Sequence, residues 1–120
     1  MDTRPKTIFC DIDGTLVKHE MPTKNTDPLK GLTLLPGTRE KLSEWDAKGY
    51  NIILTTGRKE SMRKATEEQL AAYGIFYDQL IMGIGGGVRV LINDYKPDST
   101  EETAVAITLK RNTGISEVDI

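Results

Sequence analysis

The sequence predicts an α/β fold, in which a mainly parallel sheet carries helices on both faces, as in three-layer Rossmann-like proteins. Three observations lead to this prediction. Short apolar segments alternate with longer segments of helical periodicity, glycine or proline separates most of them, and polar residues follow directly after the apolar segments. The strands are expected to be parallel, because each intervening helix returns the chain to the end of the sheet at which the previous strand began.

The short apolar segments are predicted to be the strands of this sheet. The first four are β-prone segments, and the last alternates larger apolar side chains with alanine and threonine at a period of two. The predicted strands cover residues 6–10, 51–55, 79–82, 88–93 and 104–109.

Two longer segments have the apolar spacing of helices. In the first, Pro36 and Gly37 precede a helix that ends near Gly49, and the inward side chains are spaced i, i+4, i+7. These side chains are Thr38, Leu42 and Trp45. The second helix is predicted over about residues 59–73, and Gly74 ends it. Its inward side chains are expected to be Met62, Ala65, Thr66, Leu70 and Tyr73.

Length and composition indicate one soluble domain. The chain has 120 residues, of which 38% are hydrophobic and 28% charged, and its net charge is −2. This charge does not favour nucleic acid as a partner. We expect a cytoplasmic protein without a membrane partner, because no apolar run approaches the roughly 20 residues of a membrane span and MDTRPK lacks a signal core. The single cysteine, Cys10, is predicted to be a core residue.

Polar residues at the predicted strand ends should converge on one pocket, because ligands bind at the carboxyl ends of parallel strands. The carboxylates of Asp11, Asp13 and Asp94 are hard oxygen donors of the kind that Mg²⁺ prefers. Thr56 offers a hydroxyl group, and Gly57 leads into a helix whose first N–H groups suit a phosphate. The sequence therefore indicates phosphoryl chemistry with Mg²⁺ as cofactor.

Three motifs are similar to those of a known family. The stretches DIDGT at 11–15, TTGR at 55–58 and LINDYKPD at 91–98 resemble, in order, the motifs of the haloacid dehalogenase superfamily. The resemblance implies a Rossmann-like fold and a Mg²⁺-dependent phosphatase that forms an aspartyl-phosphate.

The resemblance also implies a role for each strand-end residue. Asp11 would be the nucleophile, and Asp13 would be the general acid and base. Mg²⁺ would be held by the carboxylate of Asp11, the main-chain carbonyl of Asp13 and the carboxylate of Asp94. Thr56, with the backbone of Gly57, would bind the phosphoryl group.

The sequence departs from the family pattern in its positive charge. The family normally has a lysine before the last acidic strand, and GIGGGVR at 83–89 contains none. Arg58 and Arg89 are the cations that we expect to bind phosphate instead. Asp98 is a second acid whose part in the metal site the sequence leaves open. Gly14 is expected to allow the turn that directs both acids of DIDGT into the pocket.

The chain resembles the small members of the superfamily that lack a cap domain. Residues 1–120 are expected to form a single phosphatase domain, with residues 19–34 as a flap and no separate cap. Such an open pocket suits a bulky substrate or closure by another subunit, so a homo-oligomer is one expectation. TGRKESMR with YDQLIM resembles phosphatases of surface-sugar biosynthesis and, more loosely, polynucleotide 3′-phosphatases. The expected substrate is a small phosphorylated sugar or similar metabolite. The alternatives are a polynucleotide 3′-phosphatase and a phosphate-binding module that has lost catalysis.

Overall fold

The computed structural model describes residues 3–19 and 31–120, and its centre is a three-stranded parallel sheet in the order β1, β2, β3. Helices connect the strands, which confirms the α/β fold. The elements are β1 (Thr7–Asp11), α1 (Thr38–Ala47), β2 (Asn51–Thr55), a 3₁₀ turn (Glu60–Met62), α2 (Arg63–Ala72) and β3 (Gln79–Ile81).

The strands follow the apolar segments of the sequence. In β1 the side chains alternate, so that Ile8 and Cys10 are buried while Phe9 is exposed. β2 lies between the two other strands, and its three consecutive residues 52–54 are all buried. A residue pattern without alternation is typical of a strand that is covered on both faces. The predictions for these three strands are confirmed to within one residue at each end.

Both predicted helices are present. The buried side chains of α1 are the predicted Thr38, Leu42 and Trp45. The second helix begins later than predicted, because residues 60–62 form a 3₁₀ turn before α2. Its buried face includes Gln69, which the apolar pattern did not predict.

One continuous core joins the sheet, both helices and the C-terminal residues. Its fully buried side chains include Ile12, Leu16, Leu42, Leu54 and Leu70. Cys10 is buried in it, as predicted, and burial raises the pKa of its thiol to about 12. At neutral pH this cysteine is therefore a protonated core residue.

Residues 83–110, which we call the extended segment, contain no helix or strand. The predictions of strands over 88–93 and 104–109 are therefore wrong. Val88 and Ile92 are 93% and 89% exposed, and Val105 is 72% exposed. The physical reason is that a strand requires a paired neighbour, and without one the ladder hydrogen bonds and burial that offset the entropy of ordering the backbone are missing.

The chain returns to the core after the extended segment. Ile115 and Val118 are buried, and the Ile115 N–H donates to the Pro36 carbonyl at 2.9 Å. The Asn112 N–H donates to the Gly14 carbonyl at 2.8 Å, in the turn after β1. The last residues therefore brace both that turn and the start of α1.

The predicted flap over residues 19–34 falls largely on residues 20–30, which lie outside the described residues. The two residues before this segment pair with its described end: Val17 and Leu34 form an antiparallel bridge, and the Lys18 N–H donates to the Thr33 carbonyl at 2.8 Å. Within residues 3–19 and 31–120, no helix is both long and apolar enough to cross a membrane.

Candidate active site

The predicted catalytic residues lie at the carboxyl end of the sheet. Asp11 is the last residue of β1 and pairs in register with Thr55, the last residue of β2. The turn that contains Asp13 and the turn formed by residues 56–58 are therefore neighbours. The parallel sheet brings together DIDGT and TTGR, two of the three motifs in the sequence.

The turn after β1 is closed by its own backbone hydrogen bonds. The Gly14 N–H donates to the Val17 carbonyl at 2.7 Å, and the Leu16 N–H donates to the Ile12 carbonyl at 2.9 Å. Gly14 has a φ of +93°, which residues other than glycine rarely adopt. Ile12 is fully buried between the two acids and anchors the turn in the core.

Asp11 lies in a partly desolvated environment. Burial, together with the negative charge of Asp13, raises the pKa of the Asp11 carboxyl above its usual range. The Ile12 N–H, the Thr15 hydroxyl and the charge of Arg89 act in the opposite direction. The Thr15 hydroxyl donates to Oδ2 of Asp11 at 3.4 Å. A cation beside Asp11 would therefore be stabilised there.

Asp13 forms a bidentate ion pair with Arg58. Nε of Arg58 donates to Oδ2 of Asp13 at 2.9 Å, and Nη2 donates to Oδ1 at 2.8 Å. The side chain of Arg58 is 5% exposed and that of Asp13 is 18% exposed. Paired N–H donors that match both oxygens of a carboxylate are among the strongest ion pairs in proteins.

The other edge of the Arg58 guanidinium is held by α2. Nη1 donates to Oε1 of Gln69 at 2.9 Å and to Oγ1 of Thr66 at 3.3 Å. Gln69 was not predicted from the sequence as a site residue. Its signal was a polar side chain three residues after Thr66 and directly before Leu70, on the predicted buried face of the helix.

Thr56 and Gly57 form the start of the turn after β2. Thr56 is buried, and its hydroxyl oxygen accepts the Arg58 N–H at 3.1 Å while its own hydroxyl proton can still be donated. The Gly57 N–H has no hydrogen-bond partner within residues 3–19 and 31–120. A Cβ atom at Gly57 would lie 3.0 Å from the Ile84 carbonyl oxygen. The predicted phosphate-binding pair is therefore close to the acids and has donors to offer.

Arg89 lies on the glycine-rich loop that follows β3. Its Nη1 donates to the Gly85 carbonyl at 2.7 Å and also to the Gly87 carbonyl. An open cavity of about 360 Å³ is lined by Ile84, Gly85, Gly87, Val88, Arg89 and Val90. Since the charge of Arg89 lowers the pKa of Asp11, the two side chains belong to one electrostatic environment.

Asp94 is not brought to the other two acids. It lies in the extended segment, and its carbonyl oxygen accepts a hydrogen bond from the Thr103 hydroxyl. In the part of the chain that the structure describes, no group of three or more histidine, cysteine, aspartate or glutamate side chains is arranged as a metal site. The role of Asp94 as a ligand stays a prediction, and so does a phosphate contact of Arg58.

The comparison with protein families agrees with the two motifs at the sheet end. A family model described as haloacid dehalogenase-like hydrolase matches residues 8–88. The chain belongs to this family. The predicted resemblance is thus confirmed, and a hydrolase is the class of enzyme that the family supports. The match includes both acids of DIDGT and the TTGR motif, but it ends before Arg89 and Asp94.

Solved structures that are similar to this chain include the following three. A chain in a structure of the Pnkp1/Rnl/Hen1 complex is 34% identical, with a TM-score of 0.57, over 72% of this chain and 30% of that one. A structure of the Pnkp1/Rnl/Hen1 RNA repair complex gives the same identity and TM-score over 78% and 28%. A protein from Vibrio cholerae is 20% identical, with a TM-score of 0.52, over 73% and 79%, and shows the fold alone.

The chain spans about 30% of the length of the chain that it matches in the Pnkp1/Rnl/Hen1 complex. No curated protein sequence matches it.

Proposed function

We propose that this hydrolase cleaves phosphomonoesters through an aspartyl-phosphate on Asp11. One observation carries the proposal. Asp11 pairs in register with Thr55, directly before Thr56 and Gly57, and Asp13 forms an ion pair with Arg58, directly after them. A nucleophile, a proton carrier and phosphate donors in one crevice are the parts that phosphoryl transfer requires.

The reaction has two balanced halves. A carboxylate oxygen of Asp11 attacks phosphorus, the bond from phosphorus to the ester oxygen breaks, and the departing oxygen takes a proton from the acid form of Asp13. In the second half Asp13 takes a proton from water while the water oxygen attacks the same phosphorus. The aspartyl-phosphate bond then breaks, which restores Asp11 and releases inorganic phosphate.

The residues at the sheet end fit Mg²⁺ by the chemistry of their donors. The carboxylate of Asp11 and the main-chain carbonyl of Asp13 supply hard oxygens, and Mg²⁺ is commonly bound by one or two carboxylates with several waters. The raised pKa of Asp11 fits the same interpretation. Asp94 would be a third ligand if the extended segment moves toward the sheet end. A bound Mg²⁺ would offset the negative charge of the phosphate that Asp11 attacks.

Phosphate binding is proposed for Thr56, Gly57 and Arg89. The hydroxyl proton of Thr56 and the N–H of Gly57 supply neutral donors at the sheet end. Arg89 supplies the positive charge in place of the family lysine, and its influence on the pKa of Asp11 supports this role.

The proposed substrate is a phosphorylated sugar or a similar small metabolite. A second candidate is the phosphorylated end of a polynucleotide, because the matched chain in the RNA repair complex is 34% identical. The net charge of −2 favours the first candidate, since nucleic acids bind basic surfaces. A cytoplasmic location and closure of the open site by a second copy remain part of this proposal.

The test is a phosphatase screen of the purified protein with sugar phosphates, nucleotides and 3′-phosphorylated oligonucleotides, with Mg²⁺ and with EDTA. We expect release of phosphate that EDTA abolishes and that Asp11→Asn reduces by at least about 10³-fold, since the nucleophile is lost. Full activity of Asp11→Asn would exclude the mechanism. Binding of phosphate esters without turnover would indicate a binding module instead.

A further inference from the structure

Arg58 combines burial with an almost complete set of hydrogen bonds. Four of the five N–H donors that a guanidinium carries are used: two by Asp13, one by Gln69 and one by Thr66. Its backbone is held as well, because its N–H donates to the Thr56 hydroxyl and its carbonyl accepts the Gly83 N–H at 2.8 Å. Arg58 has little freedom to turn toward a bound phosphate.

The hydrogen bond from Arg58 to Gln69 on α2 requires a polar side chain to be buried, which packing alone would not need. Gln69 is 4% exposed, and its Nε2 has no hydrogen-bond partner within residues 3–19 and 31–120. An apolar side chain at this position would avoid a buried donor that lacks a partner. What Gln69 does provide is an acceptor that fixes the edge of the Arg58 guanidinium opposite Asp13.

The geometry fixes the Asp13 carboxyl in one plane. Each Asp13 oxygen receives one N–H from Arg58, so a single guanidinium holds both oxygens. The Asp13 side chain is 18% exposed, so the ion pair leaves part of it accessible to solvent. A carboxyl group that is held in this way is ready to exchange a proton with a group bound beside Asp11.

We propose that Arg58 is a positioning residue for Asp13, with Gln69 and Thr66 as its supports, rather than a ligand of phosphate. The inference rests on the proposed function, since it assigns Arg58 to the proton transfers that Asp13 makes in that mechanism. It separates two groups at the sheet end: Thr56, Gly57 and Arg89 act on the phosphate, while Arg58 acts on the leaving group through Asp13.

The leaving group provides the test. A nitrophenolate leaves without much help from an acid, whereas the alkoxide of a sugar or alkyl phosphate requires a proton. Arg58→Lys keeps the charge and loses the bidentate fork. We expect its kcat/KM, which reports only the half-reaction that forms the aspartyl-phosphate, to fall roughly 10- to 100-fold on an alkyl phosphate and less than about 3-fold on nitrophenyl phosphate, within the range that proton transfer contributes.

Two further variants make the test independent of folding. Gln69→Glu keeps the size and the acceptor, but its negative charge draws the guanidinium away from Asp13, so we expect the same selective loss with an intact thermal transition. Arg63→Lys is the matched control, because Arg63 is also an ion-paired arginine, bound to Glu60 and Glu67 on the surface of the same helix region. It should lose no activity on either ester.

The outcomes separate the inference from the function on which it rests. An Arg58→Lys loss of kcat/KM that is equal on both esters would overturn the positioning role, provided that the wild type hydrolyses them and Asp11→Asn does not. In the Asp13→Asn background, Arg58→Lys should have no further selective effect, and a full additional effect would also overturn the role. If the wild type fails to hydrolyse any ester, both proposals fail together.

Discussion

Residues 51–55 and 88–93 are two apolar segments with similar strand-like composition, but the first is buried and the second is exposed. The first, NIILT, is β2, which is buried between two paired strands. The second, VRVLIN, lies in the extended segment with its large side chains exposed. The difference teaches that strand-like composition is not enough. β2 has neighbours on both edges and residues 88–93 have none, and pairing with burial is what offsets the entropy of ordering.

The largest difference between the two segments should be in stability. Leu54→Ala in β2 removes a fully buried side chain and should cost about 2–5 kcal/mol of the free energy of unfolding. Ile92→Ala, where the side chain is 89% exposed, should cost less than about 0.5 kcal/mol. Both values can be measured by urea denaturation. A cost above about 1 kcal/mol for Ile92→Ala would show that residues 88–93 are buried in solution.

A smaller effect is expected where the end of the chain braces the β1 turn. The backbone of Gly14 has a φ of +93°, and a Cβ atom added there would lie 3.2 Å from Cγ of Arg111. Gly14→Ala should therefore lower the free energy of unfolding by about 1–3 kcal/mol. Gly49→Ala is the control, because its φ is +77° but nothing lies within 4 Å of the added atom. If the two variants cost the same, contact with Arg111 adds nothing to backbone strain.

The contribution of the extended segment to the site can be measured through Asp94. If this segment supplies the third metal ligand, Asp94→Asn should raise the Mg²⁺ concentration for half-maximal activity by about tenfold or more. The control Asp119→Asn removes an exposed acid from the C-terminal residues and should leave that concentration unchanged. An unchanged Mg²⁺ requirement in Asp94→Asn would restrict the metal site to the end of β1.

The smallest expected effect on stability comes from the carboxylate of Asp11. This residue ends β1, whereas β2 ends in the neutral Thr55. The pKa of Asp11 is raised in the folded protein, so its ionised form lowers the free energy of unfolding. This destabilisation is fully present above the folded pKa of Asp11 and disappears as the pH falls. In EDTA, Asp11→Asn should therefore raise the Tm by about one or two degrees at neutral pH and by less near pH 4. Added Mg²⁺ should raise the Tm of the wild type only. A lower Tm for Asp11→Asn at neutral pH would contradict this.

The sequence was sufficient for the part of the fold that local patterns and parallel pairing determine. β1, β2 and the buried face of α1 follow from apolar spacing and from the breakers Gly37 and Gly49. Asp11 and Thr56 could be placed together because parallel strands end at the same edge of a sheet, and the register between β1 and β2 agrees.

The remainder depends on contacts between residues that are distant in the sequence. Residues 88–93 have the composition of a strand, and nothing in their pattern reports whether an edge is available to pair with them. Arg58 was expected to face phosphate because it follows the TTG turn. Its partner Asp13 lies 45 positions earlier, and its support Gln69 lies 11 positions later on a different element. No local period encodes such a network.

The buried thiol of Cys10 lies in β1, so its reactivity can report how often this strand opens beside the site. The thiol lies one residue before Asp11 and has a pKa of about 12, so in the closed state it should be inert to alkylating reagents. Labelling of Cys10 then measures how often β1 opens. Since each chain carries a single thiol, the rate at which the labelled mass appears reports that opening without any engineered label. Slower labelling in the presence of Mg²⁺ and inorganic phosphate would show that ligands at the sheet end hold the first strand closed.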